Sequence, residues 1–131
     1  MASGWYKREF DAMGIPFEKR CKLMDENLEI LNRLWTEDKV DGTYMAHNIS
    51  KAVMYPKPVQ RPRMPILIGG YVDKVLQRAA TTGDGWLTYF YEPASFAKSW
   101  AKLRTYAKEG GKDPDVLLNA SQLPIMVGPS K

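Results

Sequence analysis

The residues best placed to do chemistry are Gly69 and Gly70, which directly follow the apolar run of residues 66–68 and precede a segment with helical periodicity. Strand, glycine pair and helix in that order present backbone N–H groups and the positive end of a helix dipole. Without a Cβ in the way, the oxygens of a phosphate can approach closely. The chemistry this permits is anion binding. The pattern is less specific than a complete GxGxxG or GxxxxGK[ST] loop, and tight βα geometry alone also demands such glycines. Other chemistries are poorly supplied. Cys21 and His47 are each the single residue of their type, so one chain forms neither an internal disulfide nor a cysteine-based metal cluster. A histidine-rich metal site or a Ser-His-Asp arrangement would need residues from a second subunit. His47 reads as a turn or surface residue, Cys21 as a member of the apolar side of a helix, and no metal site is assigned. Among Glu9, Asp84 and Glu92 no spacing forces two carboxylates together, so catalytic residues stay unassigned.

The elements that must hold this turn follow from the periodicities. Four prolines, at 56, 58, 62 and 65, keep the approach extended and forbid a helix, and residues 66–68 have the composition of a strand buried on both faces. Val72, Val75, Leu76 and Ala79 then mark one face of a helix closed by Gly83 or Gly85, and residues 86–90 form a β-rich run suited to a second buried strand. Glu92-Pro93 opens a further helix with Phe96, Trp100, Leu103 and Ala107 on one side, stopped by Gly110-Gly111. Residues 118–127 alternate at Leu123, Ile125 and Val127, with Pro124 hinting at an edge or a bulge.

Upstream, Ser3 is expected to cap a short helix over residues 4–13, with Trp5, Phe10 and Met13 as its apolar members and Gly14 in the left-handed stop position. An amphipathic helix follows from Pro16 to Trp35 on the stripe Cys21, Met24, Leu28, Leu31 and Trp35, widened by Ile30 and Leu34. Asp41-Gly42 signals a turn, and residues 43–47 and 52–55 suit two strands of an antiparallel excursion. The order of the remainder implies parallel strands joined by helical crossovers, an α/β class.

Bulk composition narrows the function classes. A chain of 131 residues with 44% hydrophobic and 26% charged residues is one domain's worth and neither disordered nor membrane-spanning by composition. No apolar run approaches the roughly 20 residues that cross a bilayer, and no apolar signal core follows the N-terminus, so a cytoplasmic protein is expected. Nineteen basic residues against fifteen acidic give +4, but the charges are interspersed. That fits an anionic small molecule and a solvated surface equally well. It lacks the concentrated basic patch that nucleic-acid binding needs.

Several ordered motifs carry a resemblance: Gly4-Trp5-Tyr6 with Glu9-Phe10 and Gly14; Phe17 and Arg20 leading into Glu26; Leu34-Trp35-Thr36; Tyr55-Pro56-Lys57-Pro58-Val59-Gln60-Arg61-Pro62 with Pro65-Ile66 and Gly69-Gly70; and Gly83-Asp84-Gly85-Trp86. Together they resemble the bacterial luciferase-like monooxygenases, a family that includes flavin monooxygenases and reductases using the deazaflavin coenzyme F420. The resemblance implies a (β/α)8 TIM barrel, of which this chain would be a partial fragment, a single truncated domain over residues 1–131. It would start where the fourth strand has just finished and stop near the end of the seventh. By position, Gly69 and Gly70 match the family's glycine turn, where main-chain amides hold the cofactor phosphate. Tyr71 stands where many members carry a small hydroxylated residue, leaving phosphate binding to backbone amides or a tilted phenol. Gly4 and Trp5 match the end of the fourth strand beside the cofactor cleft, and Arg20 a basic position near the phosphate. Read without the family, Trp5 is a core residue and Arg20 a solvated helix start.

The implied cofactor is FMN or coenzyme F420. A three-stranded parallel sheet exposes two edges and an apolar face, so a homo-oligomer is expected, without nucleic acid or membrane partners. Two functions stay open: a flavin- or deazaflavin-dependent oxidoreductase, working alone, as an oligomer or with a missing partner segment; or a catalytically inactive barrel fragment, a scaffold or gene remnant.

Overall fold

The computed structural model describes residues 1–89 and 92–128. They divide into two compact units, Ala2–Met64 and Pro65–Lys131 with Met1, and each is described by itself.

The first unit opens with helix α1, Lys7–Ala12, preceded by Tyr6 without a side-chain cap. The expected helix is thus shorter than residues 4–13, and Ser3 does not cap it: the Ser3 hydroxyl lies 4.0 Å from the Cys21 thiol, its donor. Trp5 and Met13 are exposed, not apolar members of a packed face. Gly14 does take the left-handed conformation, with φ +68°, and ends the helix. After a 3-10 turn at Phe17–Lys19, helix α2 runs over Arg20–Thr36 and buries Met24, Leu28 and Ile30 of the anticipated stripe, with Cys21, Leu31, Leu34 and Trp35 half-buried.

Strands β1, Val40–Thr43, and β2, Asn48–Ala52, pair antiparallel. Both lie earlier in the chain than expected. Asp41-Gly42 falls inside β1, where the register slips between Val40 and Gly42, and the reversal lies at Tyr44, whose N–H donates to the His47 carbonyl at 2.7 Å. A bulge therefore uses the glycine that resembled a turn signal.

Arg33 on α2 fastens this hairpin. Its guanidinium donates to the Asp41 carbonyl at 3.0 Å, the Tyr44 hydroxyl at 2.9 Å and the Glu37 carboxylate at 2.9 Å. The hydrogen bond to Arg33 holds the Glu37 carboxyl below its ordinary value. A depressed folded-state pKa gives a contribution present above the unfolded value and lost as pH falls through the folded one. An NMR titration is expected to show Glu37 titrating low, and Arg33→Leu to return it to the ordinary carboxylate range.

The proline segment is also pinned within this unit. The Lys57 ammonium donates to the Leu34 carbonyl at 2.7 Å and to the Glu37 carbonyl, closing the C-terminus of α2, where unsatisfied carbonyls favour a cation. The Tyr55 hydroxyl donates to Asp38 at 3.3 Å.

The second unit is built on a three-stranded sheet in the order β3-β4-β5, with β3 Leu67–Gly69, β4 Gly85–Tyr89 and β5 Leu118–Gln122. Both pairings are parallel, with Ile68 opposite Trp86 and Trp86 opposite Asn119. Helix α3, Asp73–Thr81, connects β3 to β4, and α4, Pro93–Glu109, connects β4 to β5. Ile66, Ile68, Leu76, Ala79, Trp86, Leu103 and Ala107 are buried, each large aliphatic member contributing about 1.5–3 kcal/mol.

The expected α/β alternation and parallel strands are present. Val72, expected on the packed face of α3, is instead exposed. Phe90, placed in the second strand by its sequence, lies outside the described residues. Among the described residues the anticipated alternation does not continue as strand beyond Gln122: Pro124 has no N–H to donate, and Leu123, Ile125 and Val127 are exposed.

Candidate functional site

The βα turn between β3 and α3 is where the glycine pair lies. Gly69 ends the strand, and Gly70 adopts φ +134°, a conformation that L side chains rarely hold. A Cβ on Gly70 would also stand 3.1 Å from Val75 Cγ1, in the first turns of α3. The helix that follows is capped at Val72, an apolar residue that supplies no side-chain acceptor. The Val75 N–H donates to the Val72 carbonyl at 2.8 Å, so the first-turn amides left for a ligand are those of Asp73 and Lys74, which receive no capping oxygen from Val72, the arrangement that favours an anion.

Three features tune this turn. The Gly69 N–H donates to the Met1 carbonyl at 2.7 Å, and the Met1 amino group donates to the Leu67 carbonyl, so Met1 sits against the outer edge of β3 as one parallel rung. Gly69 therefore shapes the turn, and donation falls to the residues after it. Tyr71 uses its phenol within the unit: the hydroxyl donates to the Tyr89 carbonyl and accepts the Tyr89 N–H at 3.2 Å, with the two rings 4.9 Å apart. Thus the phenol ties the turn to the carboxyl end of β4. Asp73 brings a negative charge to the first turn, and Lys102 of α4 donates to it at 2.6 Å. That hydrogen bond raises the Lys102 ammonium above its ordinary value, keeping the cation beside the helix N-terminus.

Trp86 was not signalled as a site residue, yet it is the group that fixes the turn. It is fully buried on β4, and its indole N–H donates to the Gly70 carbonyl at 2.7 Å. Its ring stacks on Phe96 at 5.6 Å, which stacks on Trp100 at 6.0 Å. The available signal was the tryptophan directly after Gly83-Asp84-Gly85, because a buried indole requires an acceptor.

Gly4, Trp5 and Arg20 lie in the other unit. Gly4 has φ +78°, and a Cβ there would come 2.7 Å from the Phe10 ring. Phe10 meets Phe17 edge-to-face at 5.2 Å, and the Arg20 guanidinium lies 3.8 Å above the Phe17 ring while donating to the Phe17 carbonyl at 2.9 Å. Arg20 is thus packed on an aromatic face and is no solvated helix start; its Nε is buried without a hydrogen-bond partner. Trp5 is 82% exposed, which excludes core packing in this chain, and its ring contacts Tyr6. The six anticipated residues fall into two groups, one per unit. Among the described residues no three potential metal ligands converge, and no helix is long and apolar enough to cross a membrane.

Comparison with known proteins agrees with this architecture. The model of the luciferase-like monooxygenase family matches residues 1–131. A 5,10-methylenetetrahydromethanopterin reductase of Archaeoglobus fulgidus is 34% identical over 112 residues, covering 83% of this chain and 32% of that protein. An FMNH(2)-dependent dimethylsulfone monooxygenase of Pseudomonas putida is 30% identical over 91 residues, covering 67% of this chain and 25% of the relative. Among solved structures, an F420-dependent secondary alcohol dehydrogenase in complex with an F420-acetone adduct superposes with a TM-score of 0.78 at 25% identity, over 92% of this chain and 37% of that one. The chain spans about a third of the length of the curated relatives that head the comparison. Matched from its first residue to its last, the chain belongs to the luciferase-like monooxygenase family.

Proposed function

We propose that this chain is part of a flavin- or deazaflavin-dependent oxidoreductase, and that the turn from Gly69 to the N-terminus of α3 holds the phosphate of FMN or coenzyme F420. One observation carries the reading: an uncapped helix N-terminus directly after a glycine at φ +134°, at the carboxyl end of a parallel strand. The named relatives that use reduced FMN or F420 support the choice of cofactor. The residues present fit a phosphate. The backbone amides of Asp73 and Lys74 supply the donors, and the Asp73–Lys102 pair offsets the one acidic side chain at that end.

When bound, the cofactor supplies hydride transfer or oxygen activation. The protein's share at this turn is to bind and orient the phosphate end. Arg20, Gly4 and Trp5 are proposed as further cofactor-binding residues, and the chain as part of a barrel domain in a cytoplasmic protein. The outer edge of β5 and the exposed Ile125, Met126 and Val127 support a homo-oligomer. Light scattering that finds a compact monomer at micromolar concentration would reject the assembly.

Titration with FMN, read as quenching of flavin fluorescence, and with F420, read by calorimetry, tests the cofactor assignment. The wild type is expected to bind one of them and to gain melting temperature with ligand concentration. Gly70→Asp is expected to abolish binding, since it adds both an anion and a Cβ at a positive φ. Absence of binding to both ligands by the wild type would favour the second reading, an inactive scaffold. That reading draws on the same outer edge of β5, which suits assembly without any ligand.

A further inference from the structure

β5 is the terminal strand of its sheet, and among the described residues no strand pairs with its outer side, where Leu118, Asn119, Ser121 and Gln122 are exposed. The Leu118 N–H donates to the Asp84 carbonyl at 2.9 Å, so residues 118, 120 and 122 turn their main-chain groups toward β4. Those of Asn119 and Ser121 are directed outward, each with an N–H and a carbonyl. The opposite edge of the sheet differs. On β3 the Leu67 carbonyl and the Gly69 N–H are already taken by Met1. A strand arriving there has to displace Met1, whereas one arriving at β5 displaces no protein group.

The sequence supplies a second, independent observation. Residues 116–130 contain no Asp, Glu, Lys, Arg or His, although 26% of the chain is charged. Exposed edge strands ordinarily carry a charge, most often lysine, that opposes pairing with another edge. Its absence matters most when the two edges are identical, because a two-fold axis sets a residue beside its own copy or a near neighbour, and a charge there would meet its like. β5 therefore presents nothing that repels a second β5. Leu123, Ile125 and Val127, exposed directly beyond the strand, add apolar surface next to that edge.

We propose that two copies of this chain associate through β5, antiparallel about a two-fold axis at Ala120, so that their sheets become one continuous sheet. In this register Asn119 of one copy lies opposite Ser121 of the other, and the reverse, each pair exchanging both main-chain hydrogen bonds. The outward groups of both residues are thereby satisfied. Ala120, whose short side chain suits the closer approach of a non-hydrogen-bonded position, faces its own copy. The contact uses the same patch on both copies and closes at two, whereas a parallel head-to-tail contact would also consume the β3 edge and lose the Met1 rung. This assignment rests on the homo-oligomer reading given above and names its interface.

The test reads the assembly directly. Sedimentation velocity over a dilution series is expected to show a monomer–dimer equilibrium for the wild type. Ser121→Pro removes an outward N–H and leaves the ladder to β4 in place; it is expected to raise the dimer dissociation constant at least about tenfold, since one hydrogen bond is lost on each side of the axis. In a Cys21→Ser background, Ala120→Cys is expected to give a disulfide-linked dimer on oxidation with diamide. Opposed non-hydrogen-bonded residues lie about 4.5 Å apart at Cα, inside the range of about 4.4–6.8 Å that a disulfide spans. Val53→Cys in the same background, exposed in the other unit, is the control and is expected to stay unlinked. The cross-link keeps the test decisive if Ser121→Pro does not fold. A wild type that is monomeric throughout overturns this pairing together with the homo-oligomer. A wild-type dimer that folded Ser121→Pro does not weaken, or that Ala120→Cys does not lock in preference to Val53→Cys, overturns the pairing about Ala120 and leaves the homo-oligomer to another surface.

Discussion

Gly85→Ala is expected to destabilise the protein by at least about 3 kcal/mol, near the upper end for a single overpacking methyl group. A Cβ built on Gly85 lies 1.9 Å from the Leu118 carbonyl oxygen, 2.6 Å from its carbon and 2.8 Å from its nitrogen. All three are main-chain atoms of β5, so no side-chain rotation relieves the clash and the β4–β5 pairing itself has to open. Gly83→Ala should cost less. There the nearest atom, at 2.7 Å, is Ile68 Cγ1, which can turn, although the Ile66 carbonyl oxygen at 3.1 Å cannot. Gly128→Ala, with nothing within 4 Å, serves as the control and is expected to stay within about 0.5 kcal/mol of the wild type. Urea denaturation followed by tryptophan fluorescence gives the order directly; Gly85→Ala no less stable than Gly83→Ala would contradict it. For a domain whose total stability is of the order of 5–15 kcal/mol, the first substitution removes a large fraction.

The same glycine shows where the sequence is legible and where it is not. Local patterns identify the elements of the second unit: a strand near residues 66–68, observed one residue later as Leu67–Gly69 with Ile68 buried and Leu67 half-buried, Leu76 and Ala79 as the packed face of α3, Leu103 and Ala107 as that of α4, and Gly111 as its left-handed stop. Periodicity and backbone preference act over a few residues, and these features depend on nothing further away. Gly83 and Gly85 invite the interpretation of a helix stop, but neither has a positive φ, and both are glycine because another strand or helix lies against them. That reason lies at Leu118, Ile68 and Ala79, outside any local window.

The hairpin failed for a related cause. Asp41-Gly42 has turn chemistry, but the hold of Arg33 on Asp41 and Tyr44 goes with a reversal at residues 44–47 and a bulge at Gly42. Likewise Leu123, Ile125 and Val127 alternate as a strand should, yet all three are exposed and lie beyond the last residue of β5. Of the anticipated site, the glycine turn was visible as a pattern. The Trp86 indole that holds it, sixteen residues later, was not.

Asp84→Ala is the second large effect, and it separates the two ends of the sheet. The Asp84 carboxylate accepts the Ile66 N–H at 2.7 Å, its own N–H donates to the Ile66 carbonyl at 2.8 Å, and its carbonyl accepts the Leu118 N–H at 2.9 Å. One residue thus joins the beginnings of β3 and β5 across β4. Truncation to alanine keeps the two main-chain bonds and leaves the N–H of buried Ile66 without its acceptor, for an expected loss of about 1–3 kcal/mol. Asp84→Asn retains an acceptor oxygen at that position and should recover part of the loss. Hydrogen exchange at the Ile66 amide is expected to quicken in Asp84→Ala beyond what the global change in stability explains. The turn proposed to hold the phosphate lies at the carboxyl ends of the parallel strands and Asp84 at the amino ends, so the folded variant is expected to bind whichever of FMN and F420 the wild type binds, with the wild-type constant. Asp84 is thus expected to move stability and leave binding unchanged, which separates the amino end of the sheet from the turn at its carboxyl end.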